Sequence, residues 1–193
     1  MANLVPGFPG FTTGWAGIQA QLRTGISGDP FSGNQAALIT ENSTNALHYI
    51  SASISIPSNA VFSMSCYVAM GSATGRNVML LVQDTSTGSN NAGTLVNPIG
   101  GGFVTTFTTG SGIVYGYNIA HSRGSWYQVS MLGAINATKT GANALVMLWS
   151  GAPAQGGSDS YSGHGVANVM AYGAEVELLM SYPPMRGVYR RKI

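Results

Sequence analysis

Glu175 and Glu177 stand two residues apart in GAEVEL, the closest pair among the six carboxylates of the chain. On a strand both side chains leave the same face, about 7 Å apart. That separation suits the paired carboxylates that cleave glycosidic bonds. Such pairs sit in a cleft among aromatic subsites, however, and one strand rarely supplies both. The plainer reading is a strand face turned to solvent or to a partner. Asp29, Glu41, Asp84 and Asp159 are scattered, and His48, His121 and His164 have no His or Cys at metal-ligand spacing. No G-x-S-x-G elbow is present. Cys66 is the only cysteine, which rules out an intrachain disulfide and a thiolate zinc site. In FSMSCYVAM it reads as a buried apolar thiol. The expectation is a protein that is not an enzyme and has no catalytic residues.

Binding chemistry is better supplied. Sugar recognition needs aromatic faces that stack on pyranose rings, with amides or carboxylates for the hydroxyls. Tyr115 and Tyr117 in GIVYGYNIA, Trp126 in GSWYQVS and Tyr161 in the long loop are the candidates for stacking. Parity sets Ile113, Tyr115, Tyr117 and Ile119 on one face, which reads more easily as half of a hydrophobic core. No cofactor is expected. A structural calcium ion is the runner-up, with Asp29, Asn34 and Glu41, or Asp159, as oxygen ligands. Asn42 and Asn136 head glycosylation tripeptides, which would mean nothing if the chain is made in a bacterial cytoplasm.

The two ends carry a different signal. Arg186, Arg190, Arg191 and Lys192 give the last eight residues half of the chain's eight Lys and Arg. Pro183 and Pro184 stop the preceding strand, because proline lacks a donor and fixes its own φ. The tail has three readings: a solvated end, a weak salt-sensitive contact to nucleic acid, and a docking strap. The strap would use Arg186, Tyr189, Arg190, Arg191 and Lys192, residue types that anchor interfaces. At the other end, VPGFPGF offers Phe8 and Phe11 either to a neighbouring subunit or to its own sandwich.

The elements that position these residues have a period of two. Phe62, Met64, Cys66, Val68 and Met70 alternate with small residues, and Ile50, Ala52, Ile54 and Ile56 repeat the pattern with His48 at the edge of the core. Val166, Met170, Tyr172, Ala174, Val176, Leu178 and Met180 read as one face of a last strand, with Glu175 and Glu177 on the other. Further strands read at 37–40, 77–83, 102–108, 112–120, 125–135 and 144–149, with Trp149 in the core. Turn-rich stretches such as TSTGSNNAG and NATKTGAN separate them. The pattern predicts an all-β sandwich of about nine antiparallel strands in one domain. Residues 1–17 form an N-terminal arm and first strand, 18–184 the sandwich, and 185–193 the basic tail.

Charged residues make up only 7% of the chain, while 45% is hydrophobic. That is enough apolar side chain to exclude a disordered polymer. No apolar run approaches the roughly 18 residues of a membrane helix, and MANLVPGFPGF lacks the basic and apolar segments of a secretory leader. Low charge with a real core points to a subunit that works packed against neighbours.

In order, ALITENSTNALHYISASISI, FSMSCYVAM, GSWYQVSM and YSGHGVANVMAYGAEVELLMSYPP resemble a family of bacteriophage virion proteins. These carry a jelly-roll domain similar to carbohydrate-binding modules. The opening NLVPGF…GW fits the same pattern, and Ala69 departs from it where the family often has a Lys. The resemblance implies a jelly-roll β-sandwich in the virion, assembled in the host cytoplasm. A stand-alone sandwich implies a capsid decoration (cement) protein, homo-oligomeric, held by the major capsid protein or other virion subunits. The alternative it implies is a carbohydrate-binding receptor module of a tail fibre or tailspike, with surface glycans as partners. Neither nucleic acid nor membrane is expected as a partner.

Overall fold

A computed structural model describes residues 2–57, 60–71, 76–85, 90–135, 141–150 and 160–179. Among these residues every regular element is a strand: β1 (Trp15–Ile18), β2 (Ala20–Ile26), β3 (Ala36–Glu41), β4 (Asn45–Ala46), β5 (His48–Ser55), β6 (Val61–Met70), β7 (Arg76–Asp84), β8 (Asn91–Asn97), β9 (Gly102–Thr109), β10 (Ile113–His121), β11 (Tyr127–Ala134), β12 (Gly141–Ser150), β13 (Tyr161–Ser162) and β14 (Asn168–Leu178). They form two six-stranded sheets. The first runs β1-β5-β12-β7-β8-β9 and the second β10-β11-β6-β14-β3-β2, with β13 and β4 paired separately. Every pairing is antiparallel.

The core lies between the sheets, as the alternation requires. Ile50, Leu80 and Val146 enter it from the first sheet and Phe62, Met64 and Val129 from the second, all fully buried. The nine predicted strands are all present. β8 escapes a period-two reading because its first six residues are buried on both faces. β1 and β2 lie at sheet edges, where burial leaves little pattern.

Two faces differ from their sequence parity, and a β-bulge explains each. On β14 the register shifts between Tyr172 and Glu175, around Gly173 at φ +63°. Val169 and Ala171 therefore point into the core before the bulge, and Val176 after it. Met170 and Tyr172 pack on the outside of the sheet with Trp126, not on the core face. On β10 the shift falls between Val114 and Gly116, which squeezes out Tyr115. Val114 and Ile119 pack against the core, while Ile113 and Tyr115 are turned out and exposed. Tyr117, opposite the core residue Met131, keeps the inner face but is exposed at the sheet edge. Trp149 is buried as expected, but in a second apolar cluster with Met79, Leu81, Leu95, Leu145 and Met147. Leu80 and Val146, the neighbours of these residues along β7 and β12, face the core, so this cluster lies on the outer side of the first sheet.

The N-terminal segment closes the sandwich of its own chain. The Leu4 N–H donates to the Val176 carbonyl at 2.8 Å and the Gly173 N–H to the Pro9 carbonyl at 2.8 Å. Phe11, considered as a docking anchor, is 3% exposed in its own core, edge-on to Trp15 at 4.8 Å. Phe11→Ala is expected to cost about 3–5 kcal/mol, the usual penalty for emptying an aromatic site. Urea unfolding measures it, and a loss under about 1 kcal/mol would mean that Phe11 belongs elsewhere.

Candidate functional site

The outer face of the second sheet carries its polar and aromatic side chains in ordered rows. Tyr172 lies across from Tyr67, and Tyr67 across from Gln128. The next outward row is Glu175, Ser65, Ser130 and Asn118, and the one after it Glu177, Ser63 and Leu132. All are partly or fully exposed, so the face is open to a ligand. Glu175 is held above the ordinary carboxylate range, first by burial and then by the charge of Glu177.

One end of this face is capped by Phe31. Its ring centroid lies 5.5 Å from Tyr67 and 5.6 Å from Tyr172, and those two rings are 6.0 Å apart. Phe31 is nevertheless 63% exposed, because it rides on a loop held from beneath. The Asp29 carboxylate accepts the backbone N–H groups of Phe31 at 2.9 Å, Gly33 at 2.8 Å and Gln35 at 3.1 Å. Burial alone would raise the Asp29 pKa, but those three N–H groups hold it below the ordinary value. Gly33 leaves room for the carboxylate: a Cβ there would stand 2.5 Å from Asp29 Oδ2. The Trp126 indole N–H donates to the Gly28 carbonyl at 2.9 Å, and Arg123 donates to the Ser32 hydroxyl. Tyr172 is pushed up by burial and then by the Asp29 charge.

Phe8 extends the aromatic patch. A Cβ on Gly173 would lie 3.6 Å from the Phe8 ring and 3.7 Å from the Tyr67 ring, so the bulge glycine sits between them. Beside Phe8 opens a cleft of about 130 Å³ lined by Pro9, Thr12, Gly25, Asn34 and Gln35. Ring faces, amides, hydroxyls and carboxylates thus converge on one side of the molecule, the mix that orients a polyhydroxylated ring.

The residues singled out from the sequence are dispersed. Trp126 is 4% exposed and offers no free face. Tyr161 belongs to a buried clasp at one end of the sandwich. There Glu41, at the end of β3, accepts the Arg76 guanidinium through both oxygens at 2.8 Å, joining the two sheets. The Tyr161 hydroxyl donates to the same carboxylate at 2.8 Å and the His164 N–H at 2.7 Å. The Arg76 guanidinium lies 4.6 Å from the Tyr161 ring centroid. Burial and then Glu41 push the Tyr161 hydroxyl far above its usual range. His48 is fully buried with Nδ1 2.7 Å from the Gln19 carbonyl. Asp29 and Glu41, named as calcium ligands, thus spend their oxygens on N–H and O–H donors. Asn34 lines the cleft, and Asp159 lies outside the described residues. Among the described residues no three His, Cys, Asp or Glu side chains gather as metal ligands. Tyr115 and Tyr117 lie at the sheet edge, 56% and 46% exposed. The tail residues Arg186, Tyr189, Arg190, Arg191 and Lys192 lie outside the described residues.

Sequence reasoning missed Phe31, Tyr67 and Tyr172. Tyr67 did leave a signal, as the one large residue on the small-residue face of FSMSCYVAM. Tyr172 was hidden by the bulge, and Phe31 by its place in a turn sequence.

No protein-family model matches this chain, and neither does any curated protein. Solved structures do resemble it. The CBM22-1–GH10 modules of a Clostridium thermocellum endo-1,4-beta-D-xylanase complexed with xylohexaose share 10% identity at a TM-score of 0.50, over 94% of this chain and 30% of that one. The CBM22-1 xylan-binding domain from Paenibacillus barcinonensis gives 14% and 0.49, over 90% of both chains. The enzymatically active domain of tailspike protein 4 from bacteriophage CBA120 gives 9% and 0.45, over 86% of this chain and 20% of that one. This chain therefore spans less than a third of the xylanase and tailspike chains it resembles. The likeness is one of fold: the chain is a single-domain jelly-roll β-sandwich of the kind found in carbohydrate-binding modules.

Proposed function

We propose that this chain is a non-catalytic carbohydrate-binding module that holds a glycan across the outer face of its second sheet. One observation carries the reading: the Tyr67 and Tyr172 rings on β6 and β14, with Phe31 set against them by the buried Asp29 loop, stand beside rows of hydroxyl, amide and carboxylate groups. The rings take the apolar face of a pyranose, and the rows take its hydroxyls. The sequence resemblance to phage virion proteins supports a place for the module on a particle surface, where many copies would make weak sugar contacts effective. This ordering reverses the sequence-based expectation. Capsid decoration finds no support in the described residues, and the tail meant to carry it lies outside them.

Calorimetry of the full chain against a panel of neutral and acidic oligosaccharides tests the reading. At least one glycan is expected to bind with a Kd below about 1 mM. A panel with no binder at that level would overturn the proposal.

A further inference from the structure

β9 ends the first sheet and β10 ends the second. A tight turn joins them, with the Gly112 N–H donating to the Thr109 carbonyl at 3.0 Å, so both edges close the same side of the sandwich. Phe103 and Tyr117 stack across the gap, ring centroids 3.9 Å apart and planes within 4° of parallel. Both strands are bulged here, at Val104 on β9 and Tyr115 on β10. Ile99, Phe103, Ile113, Tyr115 and Tyr117 are each 42–56% exposed, five of the nine large exposed hydrophobic residues among those described. No Asp, Glu, Lys or Arg occurs between Asp84 and Arg123. Edge strands that stay single are guarded by charge, cover or bulges; the bulges here break the backbone edge, but no Asp, Glu, Lys or Arg of this segment shields the exposed apolar side chains.

We infer that this strip is a self-association surface whose occupant is the same strip of a second copy. Charge complementarity favours a copy. An uncharged strip meets itself about a two-fold axis without stranding an ion, whereas a charged partner would lose solvation and find nothing to pair with. The area also fits. Five half-exposed side chains offer roughly 100 Å² each, about 1,000 Å² over two copies, the threshold for a specific if modest interface. The bulges interrupt both strand edges, so the contact runs through side chains and adds no strand. β11 separates β10 from β6, which leaves the Phe31, Tyr67 and Tyr172 cluster open in the pair. The inference stands on the strip alone, whatever ligand that cluster takes.

Sedimentation equilibrium of the full chain tests it. The wild type is expected to dimerise reversibly. Tyr115→Arg should weaken dimerisation at least tenfold, while Ile18→Lys, at an exposed apolar position on β1, should leave it unchanged. Matching circular-dichroism melts show that each variant folds, and Tyr115→Ser replaces the arginine variant if that one does not. A wild type that stays monomeric up to about 1 mM, or a dimer indifferent to the Tyr115 substitutions, overturns the inference.

Discussion

Arg76→Met should cost the folded protein about 3–5 kcal/mol, the typical loss when one partner of a buried ion pair is removed. Glu41 is 1% and Arg76 7% exposed, so the variant leaves a buried carboxylate facing only the Tyr161 hydroxyl and the His164 N–H. Because Glu41 comes from the second sheet and Arg76 from the first, the damage falls on the contact between layers. Acidity gives the claim a second handle. Burial pushes the Glu41 pKa up, but Arg76, the His164 N–H and Tyr161 together hold it below 4.5. The clasp therefore contributes its full stability above pH 4.5, and the contribution is lost as pH falls through the lower folded value. In Arg76→Met, burial loses its main opponent. The neutral carboxyl is then favoured, and the gap between variant and wild type should narrow in acid. Urea unfolding at neutral and at acid pH measures both effects. A neutral-pH loss under about 1 kcal/mol would show that the pair is not the clasp described.

Asp29→Ala should lower stability by about 2–3 kcal/mol and also weaken glycan binding. The carboxylate is 5% exposed and accepts three backbone N–H groups, and hydrogen bonds to a charged group are the strong ones. Without it the loop loses its internal brace, and Phe31 loses its fixed position over Tyr67 and Tyr172. Asp29→Asn should be milder, because an amide oxygen can still serve the Phe31 and Gly33 donors. The folded pKa lies below the ordinary 3.8, so this support is present above that pH and fails only as pH drops through the lower value. Calorimetric titration should rank the affinities wild type, Asp29→Asn, Asp29→Ala. An Asp29→Ala protein that binds like wild type would separate the loop from the site.

The sandwich was legible because burial on one face of a strand leaves a period-two trace. Phe62, Met64, Cys66 and Val68 needed nothing else to be placed. The same reading failed at β10 and β14, where a single inserted residue reverses every side chain beyond it. Tyr115 was assigned to the core for that reason and Tyr172 to the wrong face, whereas Tyr117 keeps the inner face, opposite Met131, and is exposed because β10 ends its sheet. Trp126 and Tyr161 failed differently. Their apolar bodies are buried and their polar tips are used by Gly28 and Glu41, contacts made across 98 and 120 residues of sequence that no local pattern records. Phe31 was invisible for a third reason: its role depends on the Asp29 brace, a network of backbone N–H groups in a turn.

The most direct test of the central claim compares Phe31→Ala with Tyr115→Ala in calorimetric titrations with one soluble, monovalent oligosaccharide. Both side chains are exposed, so both variants should fold, and each represents one of the two aromatic surfaces. At least a tenfold loss of affinity is expected for Phe31→Ala, and an unchanged Kd for Tyr115→Ala. An unchanged Kd for Phe31→Ala, or a loss confined to Tyr115→Ala, would contradict that claim.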